Sequence, residues 1–211
     1  MIPRFLVRPL LPALLPALLL ALLLGLAAGA PARAQELRLA APGTAVEFDN
    51  GGVYRAFAIV GDQVFVREDT GNDKTIVHVL RYGRFDTLIF RDTRRSEIYF
   101  TQGSVEDMLA AAPNVPLDIA YEVYEDNRLT SRVNGVARRG EPAEIEVGGR
   151  RMATRPLSQD LFFYDPDGTF QRNVKYSYFY SEDFGLPLRI EFEDATSGER
   201  FVITATGVTL P

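Results

Sequence analysis

Apolar and polar residues alternate one by one along most of the chain after residue 35. In residues 188–194, Leu188, Ile190 and Phe192 fall on one face, and charged residues occupy the other. A period of two is typical of a β-strand with one buried side, because successive side chains point to opposite faces of a sheet. The same pattern predicts strands at residues 53–60, 63–68, 75–81, 87–91, 96–100, 118–125, 129–136, 144–147, 150–154, 161–164, 169–181 and 199–208.

Short turns separate most of these strands. Gly148-Gly149 and Asp165-Pro166-Asp167-Gly168 carry residues that adopt positive φ or preset a bend. Turns of this length make neighbouring strands antiparallel, since a parallel pair needs a crossover of roughly a dozen residues. The sequence therefore predicts an antiparallel meander.

One segment has helical features. Ser104 and Asp107 resemble a capping box at the start of residues 104–112, and Pro113 ends the pattern. The fold class that we expect is mainly β, with an antiparallel meander forming a half-barrel or sandwich and one short helix.

The first thirty-four residues have the layout of a secretory signal. Two arginines precede an apolar run over residues 10–28, and Pro31-Ala32-Arg33-Ala34 offers small residues for cleavage. We expect residues 1–34 to be removed and residues 35–211 to form a single β-rich domain in the periplasm, reached by the general secretory route. The alternative is a retained anchor, since the apolar run approaches the roughly 20 residues that cross a bilayer.

The chain contains no cysteine and one histidine. The absence of cysteine excludes disulfides, a lipid anchor on cysteine and thiolate-bound metals. A lone histidine cannot form a multi-histidine metal site, so we expect no metal and no cofactor. We interpret His78 as a strand residue that packs its ring, because no nucleophile motif accompanies it.

The negative net charge of the chain weighs against nucleic acid as a partner. Removal of the leader with its three arginines takes the formal net charge from −5 to about −8. An acidic chain of this kind disfavours nucleic-acid binding.

Tyrosines are concentrated in the second half of the chain, where six of the nine lie between residues 121 and 180. Tyr176, Tyr178 and Tyr180 fall on one face of a predicted strand. A row of such rings can line a cavity that is apolar in bulk and carries hydroxyls at its mouth. With Tyr121 and Phe163, these tyrosines form our candidate ligand-binding set. The alternative is that the rings pack as ordinary core.

The last strands carry a family resemblance. Within residues 176–192 an aromatic strand ends in a short acidic turn with Gly185, and Leu186-Pro187-Leu188-Arg189-Ile190 opens the next strand. This pattern resembles the closing strands of envelope β proteins of unknown function that are similar to the LolA/LolB lipoprotein carriers. The resemblance implies an incompletely closed antiparallel barrel around an apolar cavity, with residues 104–112 as a lid or plug. The chain lacks the tryptophans and several helices of those carriers, which weighs against lipoprotein carriage.

Three functions are compatible with these features. The first is a non-catalytic periplasmic protein that binds an apolar or amphipathic envelope ligand, such as a lipid. The second is an envelope structural or adaptor protein that acts through protein–protein contacts, for example at a strand edge. The third is a hydrolase that uses two carboxylates, which predicts a deep polar cleft with at least two acids in it. We expect no catalytic residue.

Overall fold

A computed structural model of the protein describes residues 38–70 and 74–211. The predicted signal peptide, residues 1–34, lies outside the described residues. The strands of the described part are β1 Ala45–Phe48, β2 Val53–Val60, β3 Gln63–Asp69, β4 Thr75–Arg81, β5 Phe85–Arg91, β6 Arg94–Gln102, β7 Leu117–Glu125, β8 Arg128–Arg139, β9 Ala143–Val147, β10 Arg150–Tyr164, β11 Phe170–Ser181, β12 Pro187–Asp194 and β13 Arg200–Thr209, and a helix, α1, spans Val105–Ala110.

The strands form a closed antiparallel ring. β13 pairs with β1, so that Ala45 lies opposite Thr209, and β11 pairs with both β10 and β12. Twelve strands make this barrel, and β9 is attached to it as a side strand on β10. The predicted antiparallel meander is confirmed, but the half-barrel or sandwich is wrong. Closure is favourable because pairing the first strand with the last satisfies the N–H and C=O groups of both edges.

β10 is continuous where the sequence predicts two strands, residues 150–154 and 161–164. It pairs with β9 up to Thr154 and with β8 from Leu157 onward. Pro156 lies in the gap between these two partners, where a missing N–H costs no ladder hydrogen bond. One long strand therefore holds both the side hairpin and the barrel wall.

The predicted short helix is confirmed as α1. Its N-cap is Ser104, whose Oγ accepts a hydrogen bond from the Asp107 N–H at 3.0 Å. Val105 and Met108 are buried against β5, β7, β8 and β10, so α1 closes the end of the barrel where β6 ends and β7 begins. Among the described residues, no helix is long and apolar enough to cross a membrane.

A second apolar cluster lies beneath β9. Ile145 and Val147 of that strand pack on Leu186, Leu188 and Ala205. Together the two clusters fill the end of the barrel that contains α1, and the interior stays open towards the β5–β6, β7–β8 and β10–β11 turns.

Candidate functional site

The barrel interior contains a cavity of about 460 Å³. This volume falls within the roughly 300–1,000 Å³ that is typical of small-molecule sites. The cavity opens at the end where β5 stops and β11 starts, because the exposed Arg91 and Arg172 form part of its lining there. All the candidate residues from the sequence also line it: Tyr121, Phe163, Tyr176, Tyr178 and Tyr180. The structure brings these five together, and their role in ligand binding stays a prediction.

The β11 tyrosines form a stacked ladder along the cavity wall. The ring centroids of Tyr176 and Tyr178 are 5.7 Å apart with an interplanar angle of 16°, and Tyr178 and Tyr180 are 5.7 Å apart at 23°. On the neighbouring strand β12, Ile190 lies opposite Tyr178 and Phe192 lies opposite Tyr176. The ladder follows from strand geometry, since alternate residues project to the same side of a sheet.

The hydroxyl groups of these tyrosines differ in what they bind. Tyr180 donates its hydroxyl to the carbonyl oxygen of Arg84 at 2.5 Å and is held by the protein. The hydroxyls of Tyr121, Tyr176 and Tyr178 have no hydrogen-bond partner among the described residues. Burial raises the pKa of Tyr176 and Tyr178 above the ordinary 10.0 of the phenol. Both therefore stay neutral and can donate or accept one hydrogen bond to a molecule in the cavity.

Arg84 is a buried cation at the closed end of the cavity, with 8% of its surface exposed. Its guanidinium donates to the carbonyl oxygens of Gly185, Gly83 and Ser181 and lies 4.5 Å from the ring centroid of Tyr180. Burial lowers the pKa of Arg84 to about 10, so the group remains charged at neutral pH. These bonds tie the β4–β5 turn to the β11–β12 turn, which is a structural role.

His78 lies in the cavity wall between two carboxylates from the neighbouring strands. Its Nδ1 donates to Asp86 at 2.9 Å and its Nε2 to Glu68 at 2.8 Å. Burial alone lowers the pKa of His78, but the two carboxylates outweigh burial and raise it from 6.5 to about 10. The ring is therefore an imidazolium at neutral pH. With both nitrogens donating to carboxylates, it has no free lone pair to act as a general base.

The mouth of the cavity carries charges of both signs. Arg91 and Arg172 line it, and neither forms an ion pair with a carboxylate among the described residues. The Arg172 guanidinium lies 4.8 Å from the ring centroid of Phe163. Glu125 also lines this end, likewise without an ion pair to any residue that the structure describes. In residues 38–70 and 74–211, no group of three or more His, Asp or Glu side chains is placed to hold a metal ion.

No protein-family model matches the chain, and no curated protein matches its sequence. The fold is similar to that of the hypothetical lipoprotein YmcC from Escherichia coli, with a TM-score of 0.48 and 10% identity over 80% of this chain and 86% of that one. A Bacteroides fragilis protein described as exported and YmcC-like in fold matches with a TM-score of 0.41 and 9% identity, over 82% and 98% of the two chains. A Parabacteroides distasonis protein described as a lipoprotein gives 0.42 and 9%, also over 82% and 98%.

These likenesses concern the fold alone and carry no information about a ligand. The relationship to the LolA/LolB carriers, which the closing strands suggest, stays a prediction.

Sequence reasoning did not include the ionisable residues of the cavity in the candidate site, and it interpreted His78 only as a strand residue that packs its ring. Glu68 and His78 occupy inward positions of β3 and β4 that alternate with apolar residues. A charged residue in phase with the apolar face of a strand is the signal that could have found them. Arg84 had no such signal, because it lies in a turn and its burial depends on the β11–β12 turn packing over it.

Proposed function

We propose that this protein binds an apolar or amphipathic envelope molecule inside its barrel, in the periplasm and without catalysing a reaction. The observation that carries the proposal is the cavity of about 460 Å³ in a closed barrel whose ends are unequal, one filled and one open. A protein that needed only a stable barrel would gain by filling this space, since interiors pack to crystal-like density.

The cavity wall combines apolar and polar side chains in similar shares, which suits an amphipathic ligand. Aliphatic and aromatic side chains such as Leu80, Phe85, Leu161 and Ile190 make up its deeper part. The hydroxyl groups of the tyrosine ladder and the charged residues Arg84 and His78 also line the cavity. Small-molecule pockets usually combine apolar and aromatic walls with polar groups that orient the ligand.

Three acids line the cavity, Glu68, Asp86 and Glu125, and they are the observation in favour of the hydrolase alternative. Glu68 and Asp86 each accept a hydrogen bond from His78, on opposite sides of the same ring, and Glu125 stands at the mouth. A carboxylate pair for glycoside hydrolysis must instead face a shared substrate position. We therefore favour binding without catalysis.

The adaptor alternative depends on surfaces outside the barrel. Closure removes most strand edges, and in the described residues a free edge remains at the β9–β10 hairpin. Phe57, Ile59 and Val60 of β2 are exposed apolar side chains. Crosslinking in intact cells separates the two functions, since an adaptor captures one dominant protein and a carrier captures lipid.

Native mass spectrometry of the protein purified from its own periplasm tests the proposal directly. We expect a bound small molecule that dissociates on denaturation, together with saturable fluorescence of N-phenylnaphthylamine, a neutral apolar dye. A protein that carries no ligand and leaves the dye unbound would refute cavity binding.

Tyr178→Ala is expected to weaken binding of N-phenylnaphthylamine by roughly tenfold, because one aromatic wall contact contributes on the order of 1–2 kcal/mol. Fluorescence titration measures the effect, and circular dichroism checks that the β signal is kept. Tyr99→Ala is the matched control, since Tyr99 is 53% exposed and does not line the cavity. Equal losses in the two variants would contradict the placement of the ligand beside Tyr178.

A further inference from the structure

The ionisable groups of the cavity are unevenly distributed along its length. Glu68, His78 and Asp86 form a hydrogen-bonded cluster in the wall, and Arg84 is held by backbone carbonyls at the closed end. These groups already have partners. Among the described residues that line the cavity, the charged groups with neither an ion pair nor a hydrogen bond, Arg91, Glu125 and Arg172, stand at the mouth.

Two of those mouth groups, Arg91 and Arg172, are cations that line the same cavity as Tyr176. Their charges oppose the effect of burial on the pKa of Tyr176, whereas those of Asp86 and Asp194 add to it. Arg91 ends β5 and Arg172 is near the start of β11, so they stand at the same rim of the barrel. Glu125 is the carboxylate at this end of the cavity.

The net charge of the residues that line the cavity is opposite in sign to that of the chain. Its lining contains three arginines and the protonated His78 against three carboxylates, whereas the full chain has a formal net charge of −5. The surplus positive charge belongs to the mouth, because the one net negative charge of the Glu68–His78–Asp86 cluster offsets the charge of Arg84. Guanidinium groups bind carboxylates and phosphates with paired N–H donors.

We infer that the ligand is a single-chain amphipath with an anionic head, a carboxylate or a phosphate, which enters tail first and leaves its head between Arg91 and Arg172. This inference rests on the proposed function. The tail lies along the tyrosine ladder towards Phe85 and Leu161, and the free Tyr176 hydroxyl donates a hydrogen bond to the head. The reverse orientation would bury the head next to Arg84, where three of the five N–H donors already bind carbonyl oxygens and the nearby Glu68 and Asp86 are both carboxylates.

Isothermal titration calorimetry with four ligands of equal chain length tests this inference: decanoate, decyl phosphate, decanol and decylamine. We expect the two anions to bind at least about tenfold more tightly than the alcohol, and the amine to bind most weakly, since charge-assisted hydrogen bonds are about twice as strong as neutral ones. Raising the salt concentration should reduce the anion preference, because the head lies at the solvent-exposed rim. The relative affinities of decanoate and decyl phosphate identify the preferred head.

The double variant Arg91→Gln with Arg172→Gln is expected to lose the anion preference, so that decanoate and decyl phosphate bind no more tightly than decanol. Its control is Arg55→Gln with Arg138→Gln, which removes the same charge from exposed arginines that do not line the cavity. Equal binding of decanoate and decanol to the unaltered protein would overturn the anionic-head inference and leave the proposed function standing. Absence of binding by all four ligands, with no dye binding, would remove the proposed function itself.

Discussion

Replacing Gly135 with alanine is expected to lower the free energy of unfolding by at least about 3 kcal/mol, at the upper end of overpacking effects. Gly135 lies in β8 opposite Leu161 of β10. A Cβ added there would overlap the carbonyl oxygen of Asp160 and lie 3.0 Å from the Cα of Leu161. The obstacle is the backbone of the neighbouring strand, which cannot rotate away as a side chain can. Glycines at such positions mark a close approach of two strands in a barrel.

Urea unfolding followed by circular dichroism measures this effect, and Gly207→Ala is its control. Gly207 is also a strand glycine, but a Cβ there would meet the flexible carboxylate end of Glu47 at 3.3 Å. We expect a change within about 0.5 kcal/mol for the control. Equal stabilities of the two variants would mean that β8 and β10 do not approach as closely as the barrel requires.

The free energy of unfolding is expected to fall as the pH rises from about 6.5 to about 10, because of His78. Its pKa is 6.5 in the unfolded chain and about 10 in the folded one. A raised folded-state pKa contributes stability that is complete below the unfolded value and is lost as the pH rises through the folded value. The total loss is on the order of 3–5 kcal/mol at about 1.4 kcal/mol per pH unit. His78 is the only histidine, and the chain has no cysteine, so few other side chains titrate in this window.

Urea unfolding at a series of pH values measures this slope, and His78→Leu should abolish it. At pH 7 we expect the same variant to lose about 2–4 kcal/mol, since it leaves the partly buried Glu68 and Asp86 without their counter-ion. Adding Glu68→Gln and Asp86→Asn should recover at least half of that loss, because the uncompensated charges are then gone. A pH slope that persists in His78→Leu would assign it to another group.

The alternation of apolar and polar residues identified most of the strands and the antiparallel order of their connections. It missed β1, Ala45–Phe48, because four residues are too few to show a period. It also divided β10 at Pro156, because a proline inside a strand normally ends it, and only the change of partner from β9 to β8 makes this proline acceptable.

The candidate site was predictable to the extent that it follows strand alternation. Tyr176, Tyr178 and Tyr180 share a face because of their spacing alone. Tyr121 and Phe163 line the same cavity because of the tertiary fold. Phe163 is on β10, which pairs with β11, and Tyr121 is on β7, which is not a neighbour of β11 in the sheet. The His78 cluster needs β3, β4 and β5 in one exact register, and no local pattern specifies a register between strands.

Local sequence patterns are enough to predict a series of antiparallel strands with one short capped helix, since alternation, turn residues and caps are local properties. Closure of the meander is visible only in the folded protein, because it depends on β1 pairing with β13 from opposite ends of the described domain. Closure turns one face of the strands into the barrel interior. The volume of the cavity is the volume that the barrel encloses minus the volume of the side chains that point into it. Both volumes depend on all the strands together, so no single segment of the sequence predicts the cavity.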